Sequence, residues 1–131
     1  EAERSMTFAG DIPKGCYAQL MRANFERVID ASFQAGEELK NSLTASGNGE
    51  EELGDSFNLA ISCVGRRLAL GERAEEELEV LHQALGGEQN IIGFYSYGEL
   101  APYGKGKSCD LHNQLMALLS IVETGKEKGA S

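Results

Sequence analysis

Residues 57–64 read FNLAISCV, and the alternation within them decides the fold. Phe57, Leu59, Ile61 and Cys63 fall on one face of an extended chain; Asn58, Ala60, Ser62 and Val64 fall on the other. Period-two alternation is the mark of a strand. It predicts a central or near-central strand with one face covered by helices. Gly65-Arg66-Arg67 closes that strand. Downstream, Ala74, Leu78, Leu81 and Leu85 recur at helical spacing, and Gly86-Gly87 supplies a C-terminal stop.

Working outward, Asn24 is placed to cap a helix from Phe25 to about Leu43. Phe25, Ile29, Ser32, Gly36, Leu39 and Leu43 fall at the helical period, and Val28 and Phe33 widen the apolar stripe. Before it, Met6–Ala9 and Cys16–Ala23 have strand character. Pro13 and Gly15 lie between them in turn-compatible positions, which predicts a hairpin. After the second helix come strands at Ile91–Tyr97 and about Asn113–Val122. The predicted order is ββαβαββ: an α+β fold, with a mostly antiparallel sheet and two helices packed on one face. The direction of pairing around the third strand is not fixed by the sequence. Residues 1–131 form a single domain with a core from about 6 to 123. Residues 44–55 are expected to be an acidic mobile loop and 124–131 a polar tail.

The composition bounds the function. Hydrophobic residues make up 41% and charged residues 25% of the chain, ordinary for a globular domain. The net charge of −9 argues against nucleic acid and anionic lipid, which demand clustered Lys and Arg. The acidic clusters Glu50–Glu52 and Glu75–Glu77 are expected to be solvated faces. The cysteines Cys16, Cys63 and Cys109 are odd in number and lack CxxC spacing, so neither a disulfide framework nor a zinc site is expected. A reducing cytoplasm is the expected setting. No apolar run approaches a membrane span, and the charged N-terminus does not resemble a signal peptide. Residue 1 is Glu, so the chain is expected to be a piece of a longer protein. No metal or other cofactor is expected: the acidic loop lacks the ordered spacing of oxygen ligands that a calcium loop needs.

The densest collection of functional side chains runs from Ile91 to Gln114, IIGFYSYGELAPYGKGKSCDLHNQ. Tyr95 and Tyr97 share one strand face, with Gly93 leaving room beside them. They either wall a small-molecule pocket or pack half-buried with their hydroxyls in water. Glu99 and His112-Asn113 add polar groups near them. An acid–base pair needs a third group or a nucleophile, and none stands at a telling spacing. Arg66, after the strand-end Gly65, offers a planar fork for a carboxylate, or forms an ion pair with Glu99 or another acid. Cys63 is expected to be a small core residue, against the alternative of a thiolate activated by Arg66. The expected ligand-binding set is Arg66, Tyr95, Tyr97, Glu99, His112 and Asn113. Cys63, Gly65, Gly93 and Gly98 support it. The chain is expected to be a binding domain and not an enzyme.

Three motifs carry a resemblance: Ser62-Cys63-x-Gly65-Arg66, Gly93-Phe94-Tyr95-x-Tyr97-Gly98-Glu99 and His112-Asn113-Gln114. Together they resemble the C-terminal half of the FIST domain, a family named for F-box and intracellular signal transduction proteins. The likeness extends over roughly residues 7 to 123. It implies a sensory input module for a small ligand such as an amino acid or small carboxylate. It also implies partnership with an N-terminal FIST half or a signalling output domain. Where the family tends to continue with a Thr-rich strand, this chain has Leu115-Met116-Ala117-Leu118-Leu119. That apolar strand is the region expected to serve a protein-interaction module, the alternative function.

Overall fold

The computed structural model describes residues 4–8, 10–45, 56–87, 90–102 and 108–122. Most of the expected acidic loop and all of the expected polar tail lie outside these residues. The element order is α1 (Phe25–Ala45), β1 (Ser56–Cys63), α2 (Val64–Leu70), a 3-10 turn (Gly71–Glu75), α3 (Glu76–Ala84), β2 (Asn90–Ser96), β3 (Glu99–Pro102), β4 (Cys109–His112) and β5 (Met116–Val122).

Helix α1 starts where its cap predicts. The Arg27 amide donates to Asn24 Oδ1 at 3.2 Å, which satisfies one of the amides that a helix start leaves unpaired. Its buried stripe, Ile29, Ser32 and Gly36, faces α3. A Cβ at position 36 would lie 2.7 Å from Ala84 Cβ, so glycine there sets the close approach of the two long helices.

Strand β1 is central. It pairs in parallel with β2 and antiparallel with β5, giving a sheet of order β2-β1-β5. A parallel pair needs a crossover, and α2, the 3-10 turn and α3 supply it. Strands β3 and β4 form a separate antiparallel hairpin, with Glu99 opposite His112. Two of the three pairings are antiparallel, and the fold is α+β. The core gathers Ala60, Leu81, Leu85 and Met116, with Ala35, Leu39, Leu43, Ile91 and Leu118 packed against it. Leu81 is wholly buried, and such a side chain contributes about 1.5–3 kcal/mol.

Three sequence expectations change. No strand forms at Met6–Ala9 or Cys16–Ala23 among the described residues; 4–8 and 10–22 are exposed and without regular structure. Alternation assigns side chains to faces, but a strand also needs a partner, and none among the described residues pairs with this arm. The last strand begins at Met116 and not near Asn113, because Asn113 and Gln114 form a turn after β4 in which Gln114 takes a φ of 61°. Glu77 is buried, not solvated.

The covered face of β1 is the polar one. The helices cover Ser56, Asn58, Ala60 and Ser62, while Phe57 stays 44% exposed. The helices present polar groups to the sheet, so they take its polar face. The opposite face remains open, with Phe57, Ile92, Phe94, Leu119 and Ile121 exposed on three adjoining strands. None of these positions carries a charge, although a quarter of the chain is charged.

Candidate functional site

Beneath the open face, a polar knot joins the helices to the sheet. Helix α2 follows β1 without a loop, which turns Arg66 back under the helices. Its side chain is only 3% exposed. Nε and Nη2 both lie 2.6 Å from Glu77 Oε1. Nη2 also donates to Ser32 Oγ (2.7 Å) and the Val28 carbonyl (2.6 Å), and Nη1 donates to the Gln114 carbonyl (3.2 Å). Glu77 accepts further hydrogen bonds from Ser32 Oγ at 3.2 Å and Ser62 Oγ at 3.3 Å. Arg66 therefore ties α1, α3 and the turn before β5 to one buried carboxylate. The structural alternative expected for Arg66 is realised, with Glu77 as the acid. Burying two charges is costly unless geometry and extra hydrogen bonds compensate. Both are present.

A cavity of about 160 Å³ opens on the β2 side of this knot. Ser62 and Glu77 line it together with Leu78 and His82 of α3 and Ile91, Gly93 and Tyr95 of β2. His82 is half-buried here, with Nδ1 3.3 Å from the Gly87 carbonyl oxygen. A Cβ on Gly93 would fall 2.3 Å from the Ala60 carbonyl oxygen, so any side chain would push β2 from β1. Tyr95 is half-buried, with the Arg67 guanidinium carbon 5.1 Å from its ring centroid, a cation–π distance. Burial raises the Tyr95 pKa, the Glu77 charge adds to the rise, and Arg67 and Arg66 oppose it. The hydroxyl is thus a neutral donor at physiological pH.

The remaining predicted residues stand elsewhere. Tyr97 lies past the end of β2 and is 89% exposed, so it does not share the Tyr95 wall. Glu99 is buried at the start of β3. Its Oε1 accepts from Ser96 Oγ, and its Oε2 has no hydrogen-bond partner among the described residues. His112, opposite Glu99, has Nε2 3.0 Å from the Ala101 carbonyl oxygen, which places a proton on Nε2. Asn113 is exposed in the following turn. Gly98 sits against Leu111, with 3.3 Å between a Cβ built there and Leu111 Cδ1. Gly65 lies under the Gln114 side chain, and Cys63 is a buried free thiol.

The predicted set therefore divides into three groups. Gly93 and Tyr95 line the cavity with Arg66 behind its floor, Glu99 and His112 belong to the hairpin, and Tyr97 and Asn113 face outward. Ser32, Ser62, Arg67, Glu77 and His82 are additions that the sequence reading lacks. One signal for Glu77 is present in the sequence: it lies four and seven residues before Leu81 and Ala84, an acid in an apolar stripe. Among the described residues, no group of His, Cys, Asp and Glu could hold a metal ion, and no helix is long and apolar enough to cross a membrane.

Comparison with known proteins adds one finding. The FIST C domain family model matches residues 1–102, which include β1, the Arg66 corner, α3, β2 and β3. His112-Asn113-Gln114 and β5 lie beyond the matched residues. No curated protein and no solved structure matches the chain. With most of its length matched, including two of the three motifs on which the resemblance rests, the chain belongs to the FIST C domain family, which is associated with signal transduction.

Proposed function

We infer that this chain is a signal-input domain that binds a small polar ligand, such as an amino acid, in the cavity beside Tyr95. The carrying observation is the cavity itself: apolar walls with Ser62, Glu77, His82 and Tyr95 converging on it. A concave site with a few converging polar groups suits a small ligand. Glu77 Oε2 accepts only from Ser62 among the described residues, which leaves capacity for a ligand ammonium. The carboxylate role expected of Arg66 passes to Arg67. The Arg66 fork is already engaged by Glu77, Ser32, Val28 and Gln114, whereas Arg67 is exposed above the Tyr95 ring. Occupancy would load the Arg66–Glu77 knot, and with it the packing of α1 and β5, which gives a signal a route to an output partner.

In this reading the partners are an N-terminal FIST half or a signalling output domain. The free thiols of Cys16, Cys63 and Cys109 support a reducing, cytoplasmic setting. A thermal-shift screen with amino acids and small carboxylates tests the reading. A ligand at a hundred times its Kd adds roughly 2.7 kcal/mol of stability. A flat response to every compound, in this chain and in a chain joined to its N-terminal half, would sink it.

A second reading, a protein-interaction module without a small ligand, is favoured by the uncharged open face of the sheet. Interface cores are depleted of charge. Phe94→Glu would then abolish capture of an output domain while leaving the fold intact. Unimpaired capture would count against this reading.

A further inference from the structure

The cavity beside Tyr95 has polar groups at both ends. At one end Ser62 Oγ lies 3.3 Å from Glu77 Oε2, and Tyr95 stands opposite Ser62 in the pairing of β1 with β2. His82 lines the same cavity five residues beyond Glu77 on α3, about 7.5 Å along the helix at 1.5 Å per residue. Its contact with Gly87, just before β2 begins at Asn90, places it toward the Ile91 end. The wall between the two ends is apolar, with Leu78 on the helix and Ala60, Gly93 and Met116 on the sheet.

The tautomer of His82 decides what its end of the cavity takes. The Gly87 carbonyl can only accept, so the ring proton sits on Nδ1. In the neutral imidazole Nε2 is then an acceptor. At the other end the Ser62 hydroxyl spends its proton on Glu77 Oε2 or the Cys63 carbonyl, both acceptors. Each end therefore calls for a donor from the ligand.

We propose that the ligand is an amino acid whose side chain is a stem of three or four methylenes ending in an amine, the class of lysine and ornithine. His82 Nε2 accepts from that terminal amine. The inference rests on the amino-acid reading of this cavity and sharpens it. With the α-ammonium on Glu77 Oε2 and the carboxylate at Arg67, the side chain runs along the apolar wall to His82. An apolar cavity of about 150 Å³ holds a benzene-sized body. The 160 Å³ here takes a stem of this length. Methylene stems cover apolar surface while their charged heads stay wet, and half-buried His82 leaves the terminal amine that contact with water. The net charge of −9 also favours a cationic ligand.

Isothermal titration calorimetry of the 131-residue chain with L-lysine, L-ornithine and L-norleucine tests the assignment. Norleucine keeps the stem and lacks the terminal nitrogen. Lysine or ornithine is expected to bind roughly tenfold more tightly than norleucine, the scale of one charge-assisted hydrogen bond. His82→Phe should bring that ratio close to one, and His82→Gln, which keeps an acceptor oxygen, should restore most of it. Norleucine binding as tightly as lysine, or a lysine preference undiminished in His82→Phe, would overturn the proposal and leave the amino-acid reading of the cavity standing. Binding of other amino acids with none of these three would do the same. No binding of any amino acid, in this chain or in one joined to its N-terminal half, would overturn both.

Discussion

Arg66 Nε lies 2.6 Å from Glu77 Oε1, and the two side chains are 3% and 1% exposed. Residues eleven apart in sequence are joined across the corner between β1 and α3. Arg66 also takes the carbonyls of Val28 and Gln114, so a single side chain holds four parts of the fold together.

Removing one partner leaves the other charge buried. Arg66→Met or Glu77→Gln is expected to lower stability by roughly 3–5 kcal/mol in urea unfolding. Pairing Arg66→Met with Glu77→Leu should recover much of that loss, because two apolar groups leave no stranded charge. Single variants that cost less than about 1 kcal/mol would deny the pair its structural weight.

The glycines separate by what surrounds them. Gly36→Ala should cost about 1–3 kcal/mol, since its Cβ would overlap Ala84. Gly93→Ala should be at least as severe, because the obstacle is the Ala60 backbone carbonyl and not a side chain. Gly98→Ala meets only the flexible end of Leu111 and should melt close to the wild type. Thermal melts of the three variants check this ranking.

The two faces of the sheet should respond oppositely to substitution. Leu81→Ala, on the covered side, is expected to cost about 2–5 kcal/mol. Leu119→Lys, 53% exposed on the open side, should fall within about 0.5 kcal/mol. Equal losses in denaturant titrations would mean that the open face is covered in the isolated chain.

Two titrations carry opposite signs. Tyr95 ionises above the ordinary 10.0, chiefly because it is buried. Its contribution to stability is fully present below that ordinary value and is lost as pH rises through the folded one. Tyr95→Phe should therefore remove a late component of phenolate absorbance and flatten the alkaline loss of stability. Glu76 is held below the usual carboxylate value by its hydrogen bonds to Arg73. Its contribution is present above the ordinary value and is lost as pH falls through the lowered one. Arg73→Ala should return the Glu76 titration, followed by NMR, toward that ordinary value.

What the sequence discloses is local. The cap at Asn24, the stripe from Ile29 to Leu43 and the alternation of residues 57–63 each lie within one element, and periodicity reports them directly. The buried face of β1 is different. It is set by Ser32, Arg66 and Glu77, groups up to 45 residues apart that meet only in the fold. An alternating strand fits with either face inward until its cover is known. The site divides for the same reason. Tyr95 and Tyr97 share parity, but β2 ends at Ser96 and only Tyr95 reaches the cavity. The arm at Cys16–Ala23 has a strand's pattern, and among the described residues no strand pairs with it.

The most direct test of ligand binding beside Tyr95 is amide chemical-shift mapping. The 131-residue chain would be titrated with the amino acid that gives the largest thermal shift. Perturbations concentrated at Ser62, Arg67, Leu78, Gly93 and Tyr95, and lost in Tyr95→Ala, are the predicted result. Perturbations centred on the Glu99–His112 hairpin, or unchanged in Tyr95→Ala, would contradict it.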